Sequence, residues 1–265
     1  MGKIGLIAGA GELPLEFARS AKQAGEEVFV FAVKDVAKDI FSDTAVKVYW
    51  VSVGDYARLV FILLKERVKK IAFLGKFKKE VLEKNPGDKE WQSFVKELPN
   101  RMDYTILDKA TSVLSKIGVE VVSPICYLKH LFPEEGILTK NVSSPEVLKN
   151  MEFGYEIARK IADIDIGQTI IVKNKSIVAV EAMEGTDSTI ERGFKVGGEG
   201  CVMIKSARSN QDMRWDVPTV GLKTMEQLIS NKYAGLAIQS GKMYLLNKEE
   251  FIKKADEYGI LIKVF

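Results

Sequence analysis

Lys3-Ile4-Gly5-Leu6-Ile7-Ala8-Gly9-Ala10-Gly11-Glu12-Leu13-Pro14 is the stretch that decides the fold. The apolar run from Lys3 to Ala8 has the length of a buried strand, and a helical pattern follows the glycines from Pro14 to Ala24. Pro14 suits the first helical position, where its missing N–H would be unpaired in any case. In an open α/β sheet such a turn is where main-chain N–H groups and a helix N-terminus meet a phosphate. Gly9, Ala10, Gly11, Glu12, Leu13 and Pro14 are therefore candidate substrate-binding residues. The same turn also reads as purely structural. Pro14 occupies the place of the third glycine of a dinucleotide fingerprint, which counts against an NAD site.

Outward from this turn, strand and helix alternate. Glu27 to Val33, Val46 to Val51, Lys70 to Leu74 and Val119 to Ser123 read as strands, and Asp55 stands where it would cap a helix carrying Leu59, Ile62 and Leu63. Residues 76 to 117 form a long polar insertion, helical in period. This alternation predicts a Rossmann-like N-terminal domain with a parallel sheet over residues 1–131. Turn-rich residues 132–145 read as a linker. Residues 146–265 read as a distinct C-terminal α/β domain. It starts with a helix from Glu146 to Ala162 and a hairpin, Thr169–Val172 with Ile177–Val180. Strands Cys201–Lys205, Gly235–Gln239 and Met243–Leu246 follow, with helices over Met225–Ser230 and Glu249–Tyr258.

Composition narrows the chemistry. Of 265 residues, 46% are hydrophobic and 28% charged, which is enough apolar material for a packed core and argues against disorder. A formal charge of only +3, from 39 basic and 36 acidic residues, gives no footprint for nucleic acid. Cys126 and Cys201 form no C-x-x-C pair and read as two buried thiols of a cytoplasmic protein. The N-terminus carries no export pattern, and no run approaches the roughly 20 apolar residues of a membrane span. The single histidine, His130, sits among aromatic and aliphatic residues, so histidine-rich metal sites and Ser-His-Asp hydrolysis are disfavoured. Acid–base work must fall to carboxylates, lysines or a metal.

The second half carries the densest polar segments. Glu184-Gly185-Thr186-Asp187 follows a strand; its glycine allows a turn that would bring Asp187 toward a metal or a sugar hydroxyl, or else Thr186 or Asp187 simply caps a helix. In Gln211 to Gly221, Arg214 and Asp216 lie two apart, so an extended backbone would project both to one side. That pairing offers a cation for phosphate and a carboxylate for Mg²⁺ or water, or a solvated surface ion pair. Upstream, Lys205 and Arg208 either extend a phosphate-binding surface or face solvent. Asp163 and Asp165, next to Gly167, read as a weak cation site or a helix-to-strand turn.

Taken in order, these segments resemble the LpxI family of UDP-2,3-diacylglucosamine pyrophosphatases. The matching pieces are Leu6 to Pro14, Asp165-Ile166-Gly167-Gln168, Val178 to Asp187, and Gln211 with Arg214-x-Asp216-x-Pro218-Thr219-x-Gly221. The resemblance implies a cytoplasmic enzyme, peripheral to the inner membrane, that uses Mg²⁺ or Mn²⁺ to split its substrate into UMP and 2,3-diacylglucosamine 1-phosphate (lipid X) in lipid A biosynthesis. It implies a homodimer that takes a lipid-bearing UDP-sugar and makes transient contact with the membrane surface. It places the key acid at Asp216, with Asp187 and Arg214 as further catalytic residues and Asp216 and Asp187 as metal ligands. Glu184, Gly185, Thr186, Gln211 and Thr219 would then bind substrate beside the Gly9–Pro14 turn. Two other readings use that turn: a non-hydrolytic UDP-sugar or nucleotide sensor, and an NAD-dependent oxidoreductase. The second lacks an acid clearly at the end of the second strand, Asp35 being the nearest.

Overall fold

A computed structural model describes residues 2–76, 87–96, 103–140, 144–214 and 216–265, and these fall into two compact units that divide between Leu128 and Lys129. The first unit opens with β1 (Lys3–Ala8), α1 (Leu13–Gln23), β2 (Glu27–Val33), β3 (Lys47–Val51), α2 (Tyr56–Glu66) and β4 (Lys70–Leu74). It continues with α3 (Lys89–Lys96), α4 (Asp103–Lys116), β5 (Glu120–Val121) and the short α5 (Ile125–Leu128). Its five strands are all parallel in the order β3-β2-β1-β4-β5, the Rossmann-like order, with β1 at the centre. Every β2 residue after Glu27 is buried, as a strand covered on both faces requires. Phe29, Phe31 and Val33 project to one face and share a core with Ile62, Leu63, Leu114 and Val119. Lys89–Lys96 and Asp103–Lys116 of the 76–117 insertion are helical, as its period predicts; residues 77–86 and 97–102 lie outside the described residues. The α2 entry differs from expectation: Asp55 accepts from Ser52 N (3.1 Å), while Asp88 accepts from Ala57 N in the first turn (2.8 Å).

The second unit holds β6 (Gly136–Ile137), α6 (Pro145–Asp163), β7 (Thr169–Lys173), β8 (Ser176–Val180), α7 (Gly185–Gly197) and β9 (Val202–Lys205). β10 (Thr219–Val220), α8 (Leu222–Ser230), β11 (Gly235–Ile238), β12 (Tyr244–Leu245), α9 (Lys248–Glu257) and β13 (Leu261–Val264) complete it. A six-stranded mixed sheet runs β6-β13-β11-β9-β7-β8; β13, β11 and β9 are parallel, while β6, β7 and β8 run antiparallel to their neighbours. β10 and β12 pair separately. Alternation sorts the side chains. Val202 and Ile204 join Val147, Met151 and Ala158 of α6 on one face. Cys201 and Met203 join Ile190, Met225, Leu228 and Phe251, from α7, α8 and α9, on the other.

Within the stretch expected to act as linker, Gly136–Ile137 form β6 and pair with β13, and Thr139 Oγ1 accepts from Ile262 N (3.2 Å). β13 itself, unassigned from sequence, is a parallel strand beside β11. Cys201 is buried as expected, but Cys126 is exposed on α5, whose four residues are too few to cover it. No helix among the described residues is long and apolar enough to cross a membrane.

α6 lies so close to the sheet that an ideal Cβ on Gly154 would stand 2.2 Å from Ile204 Cδ1 and 2.7 Å from Val172 Cγ2. Both neighbours are fully buried. Gly154→Val should therefore destabilise the second unit by about 1–3 kcal/mol through overpacking. A melting temperature several degrees below wild type, measured by calorimetry, checks this; an unchanged value would mean that α6 can back away freely.

Candidate functional site

In the first unit, Gly9–Pro14 follows β1 at the carboxyl edge, beside the end of β4, where the strand order reverses. This is the crevice at which open α/β sheets bind ligands. The turn is stitched to the neighbouring strand end: Gly9 N donates to Leu74 O (2.8 Å), and Ala10 and Lys76 exchange main-chain bonds of 3.0 and 2.9 Å. A Cβ on Gly9 would meet Lys76 O at 2.8 Å. The first glycine thus serves backbone packing, and the N–H groups of Gly9 and Ala10 are already spent. Gly11, at φ 106°, makes the turn into α1, whose first residues are Leu13 and Pro14.

In the second unit, polar residues gather where β9 and β11 end. Gln168 precedes β7 and its carbonyl accepts from Ser206 N (2.9 Å), just past the end of β9. The buried Gln211 carboxamide is the centre of the network. Its Oε1 accepts from Gln168 Nε2 (3.1 Å) and from Arg208 N and Nε (both 3.2 Å), and its Nε2 donates to the Asp216 carboxylate. Arg208 bridges two acids, donating to Asp216 Oδ2 (2.7 Å) and Asp165 Oδ1 (2.6 Å). Asp163, the last residue of α6, accepts from Ser209 N (2.7 Å) and Oγ (2.9 Å). Gly167 is needed here because a Cβ would lie 2.0 Å from the Glu181 carbonyl oxygen. Backbone against backbone leaves no side chain to give way.

Of the sequence-predicted residues, Gln211, Asp216, Asp165 and Gln168 are thus brought together. Others are not. Arg214 does not stand with Asp216: Asp216 N bonds Asp212 O (3.0 Å), so the segment is a turn rather than extended, and Arg214 pairs with Asp212 (2.7 Å). Asp187, in the first turn of α7, pairs with Lys223 of α8 and not with Asp216. Thr219, on β10, donates to Val217 O (3.1 Å). Glu184 opens α7, after which Gly185 turns at φ 80°; the Glu184 carboxylate engages Arg192. Thr186 Oγ1 donates to Glu181 Oε1 (2.8 Å) and accepts from Lys205 Nζ (3.0 Å). Arg208 is the cation that spacing alone does not single out, because its acids lie 8 and 43 residues away.

Among the described residues no group of three or more His, Cys, Asp or Glu is poised around a metal. Mg²⁺, however, commonly takes one or two carboxylates and completes its shell with water and substrate phosphates. The Asp216 and Asp165 carboxylates, which meet on Arg208, fit that mode; Asp187 does not join them.

Several carboxyls here titrate low. The Ser209 main-chain N–H, then its hydroxyl, hold Asp163 below the ordinary 3.8. Arg214 holds Asp212 down, and Glu184 is lowered by its own main-chain N–H and then by Arg192. A group depressed in the folded state stabilises above its unfolded pKa, and that contribution is lost as pH falls through the folded value. The melting-temperature deficit of Asp163→Ala should therefore be full at pH 7 and should shrink on acidification below about pH 4. A deficit constant across that range would separate the Ser209 tether from the ionised carboxylate.

Comparison with known proteins places this geometry in context. The family model for the LpxI N-terminal domain matches residues 3–131, and that for the LpxI C-terminal domain matches residues 134–263. UDP-2,3-diacylglucosamine pyrophosphatase LpxI of Caulobacter vibrioides is 26% identical over 276 aligned residues, covering 99% of this chain and 97% of that protein. Among solved structures, glycinamide-RNase-transformylase T from Mycobacterium tuberculosis aligns at a TM-score of 0.25 and 13% identity, over 68% of this chain and 44% of its own. The biotin carboxylase subunit of pyruvate carboxylase aligns at 0.25 and 15%, over 88% and 42%. This chain spans less than half of either solved chain, and such TM-scores bear on neither fold nor function.

Proposed function

Because the chain belongs to the LpxI family over both of its domains, we propose that it hydrolyses the pyrophosphate of UDP-2,3-diacylglucosamine, giving UMP and 2,3-diacylglucosamine 1-phosphate in lipid A synthesis. The observation that carries the proposal at residue level is the Asp216–Arg208–Asp165 bridge, locked by Gln211 at the carboxyl end of the parallel strands.

The reaction consumes one water: its oxygen ends on one phosphate, and the bridging oxygen leaves with the other. Little covalent chemistry falls to the protein, so positioning and charge neutralisation dominate. Arg208 offers N–H donors at fixed angles to phosphoryl oxygens on which charge accumulates. Gln211 keeps that guanidinium and the Asp216 carboxylate in one orientation, so little reorganisation accompanies the reaction. Asp216, about half exposed as a side chain, is accessible to a reacting water. Mg²⁺ or Mn²⁺ bound by Asp216 and Asp165 together with the substrate would act as a Lewis acid on a phosphoryl oxygen. We extend the proposal to a cytoplasmic homodimer that makes transient contact with the inner-membrane surface, where a diacylated substrate resides.

Purified protein should release UMP from UDP-2,3-diacylglucosamine with Mg²⁺ and much less with EDTA. Asp216→Ala and Arg208→Ala should each lower kcat by about 100-fold or more while remaining folded, as loss of a major electrostatic group does. Full activity in both variants would remove this network from the chemistry. A folded wild type that binds UDP without releasing UMP would replace the hydrolase reading with that of a non-hydrolytic sensor.

A further inference from the structure

Lys205 ends β9, the strand between parallel β11 and antiparallel β7, and only 9% of it is exposed. By the alternation that sends Cys201 and Met203 toward α7, its side chain points to the same face. An aliphatic residue would satisfy that position without carrying a charge out of water. The ammonium instead donates to Thr186 Oγ1 in the first turn of α7 (3.0 Å), and Thr186 Oγ1 lies 2.8 Å from Glu181 Oε1. An ammonium can only donate and an ionised carboxylate can only accept, so the one hydroxyl proton of Thr186 must point to Glu181. The direction of the chain is fixed. The other carboxylate oxygen, Glu181 Oε2, is buried without a hydrogen-bond partner. Glu181 is in turn pressed against Gly167, which precedes Gln168 of the Gln211 network.

From this geometry we infer that Lys205 is a second phosphate-binding cation of the site, and that Thr186 and Glu181 are positioning residues that hold it rather than groups that touch substrate. The inference rests on the pyrophosphatase reading. Lys205 and Arg208 flank the same strand end, Lys205 on the α7 face and Arg208 beside the end of α6. Two cations so disposed suit a ligand with two linked phosphoryl groups. The N-terminal end of α7 adds a partial positive charge on the Lys205 side.

The test uses Lys205→Met, which keeps the buried stem and removes the charge, with Lys205→Arg, Thr186→Val, Glu181→Gln and the Glu181→Gln/Lys205→Met double variant. UMP release should give a kcat/KM at least 100-fold down for Lys205→Met, with partial recovery in Lys205→Arg. Thr186→Val and Glu181→Gln should lose about 10-fold in kcat with KM nearly unchanged. The double variant should be no worse than Lys205→Met alone, because residues acting through one group are not additive. Wild-type kcat/KM in Lys205→Met, or an additive double variant, overturns the inference and leaves the hydrolase reading intact. Calorimetric binding of inorganic pyrophosphate decides the case in which wild type itself releases no UMP. An affinity at least 10-fold weaker in Lys205→Met then upholds the cation, and an unchanged affinity removes it.

Discussion

The polar edge of the second unit depends on one buried side chain, the carboxamide of Gln211. A carboxamide carries an acceptor and two donors on a rigid plane, so it can hold a cation on one side and an anion on the other without itself being charged. Here the acceptor takes Gln168 and Arg208, and the donor end takes Asp216. Removing it would leave a guanidinium and a carboxylate to find new geometry, and would expose a gap in a buried position. Neither glutamate nor leucine does the same work: a carboxylate would repel Asp216, and leucine would leave Gln168 without its partner.

The location of this network follows from the sheet. β9 and β11 are buried on both faces and can bear no uncompensated polar group along their length. Polar residues are therefore pushed to the strand ends, to Lys205 at the last ladder position of β9 and to Ser206 and Gln239 just past the strands, where Ser206 Oγ donates to Gln239 Oε1 (3.1 Å). The same logic operates in the first unit with a different outcome. There the glycine turn after β1 is fastened to the end of β4 by main-chain bonds, so the edge is made of backbone rather than side chains.

Strand and helix periods made most of both units legible in the sequence, because each core strand is a continuous apolar run and each helix carries an apolar stripe. β6 and β10 are two residues long and have no period to read. β13 lies just after the Gly259 turn (φ 65°) and was readable as an apolar run, but its place in the sheet was not. At the site, residue types were legible and partnerships were not. Asp216 and Gln211 stand out by the density of polar residues around them. The pairing of Arg214 with Asp216 assumed an extended backbone, and the bond from Asp216 N to Asp212 O defeats it. The true partner, Arg208, is reached through a turn, and its second acid comes from the end of α6, a tertiary relation that local spacing does not encode.

The charge balance of the network bears on how an anionic substrate could be accepted. Asp165 and Asp216 share Arg208, so two carboxylates face one guanidinium, and Asp163 is held nearby chiefly by neutral Ser209 groups. Asp163, Asp165, Asp216 and Arg208 together carry negative charge, which opposes a pyrophosphate arriving by itself. Either a carboxylate must release Arg208 to the phosphate, or a cation must arrive with it. A divalent ion meets the second condition with the carboxylates present, since it needs only one or two of them when phosphate oxygens complete its shell. Lys205, on the α7 face, is a further cation, linked through Thr186 to Glu181. An acid-rich edge therefore becomes hospitable to a pyrophosphate when the counter-charges come from the ligand's own cation and from the lysine that ends β9.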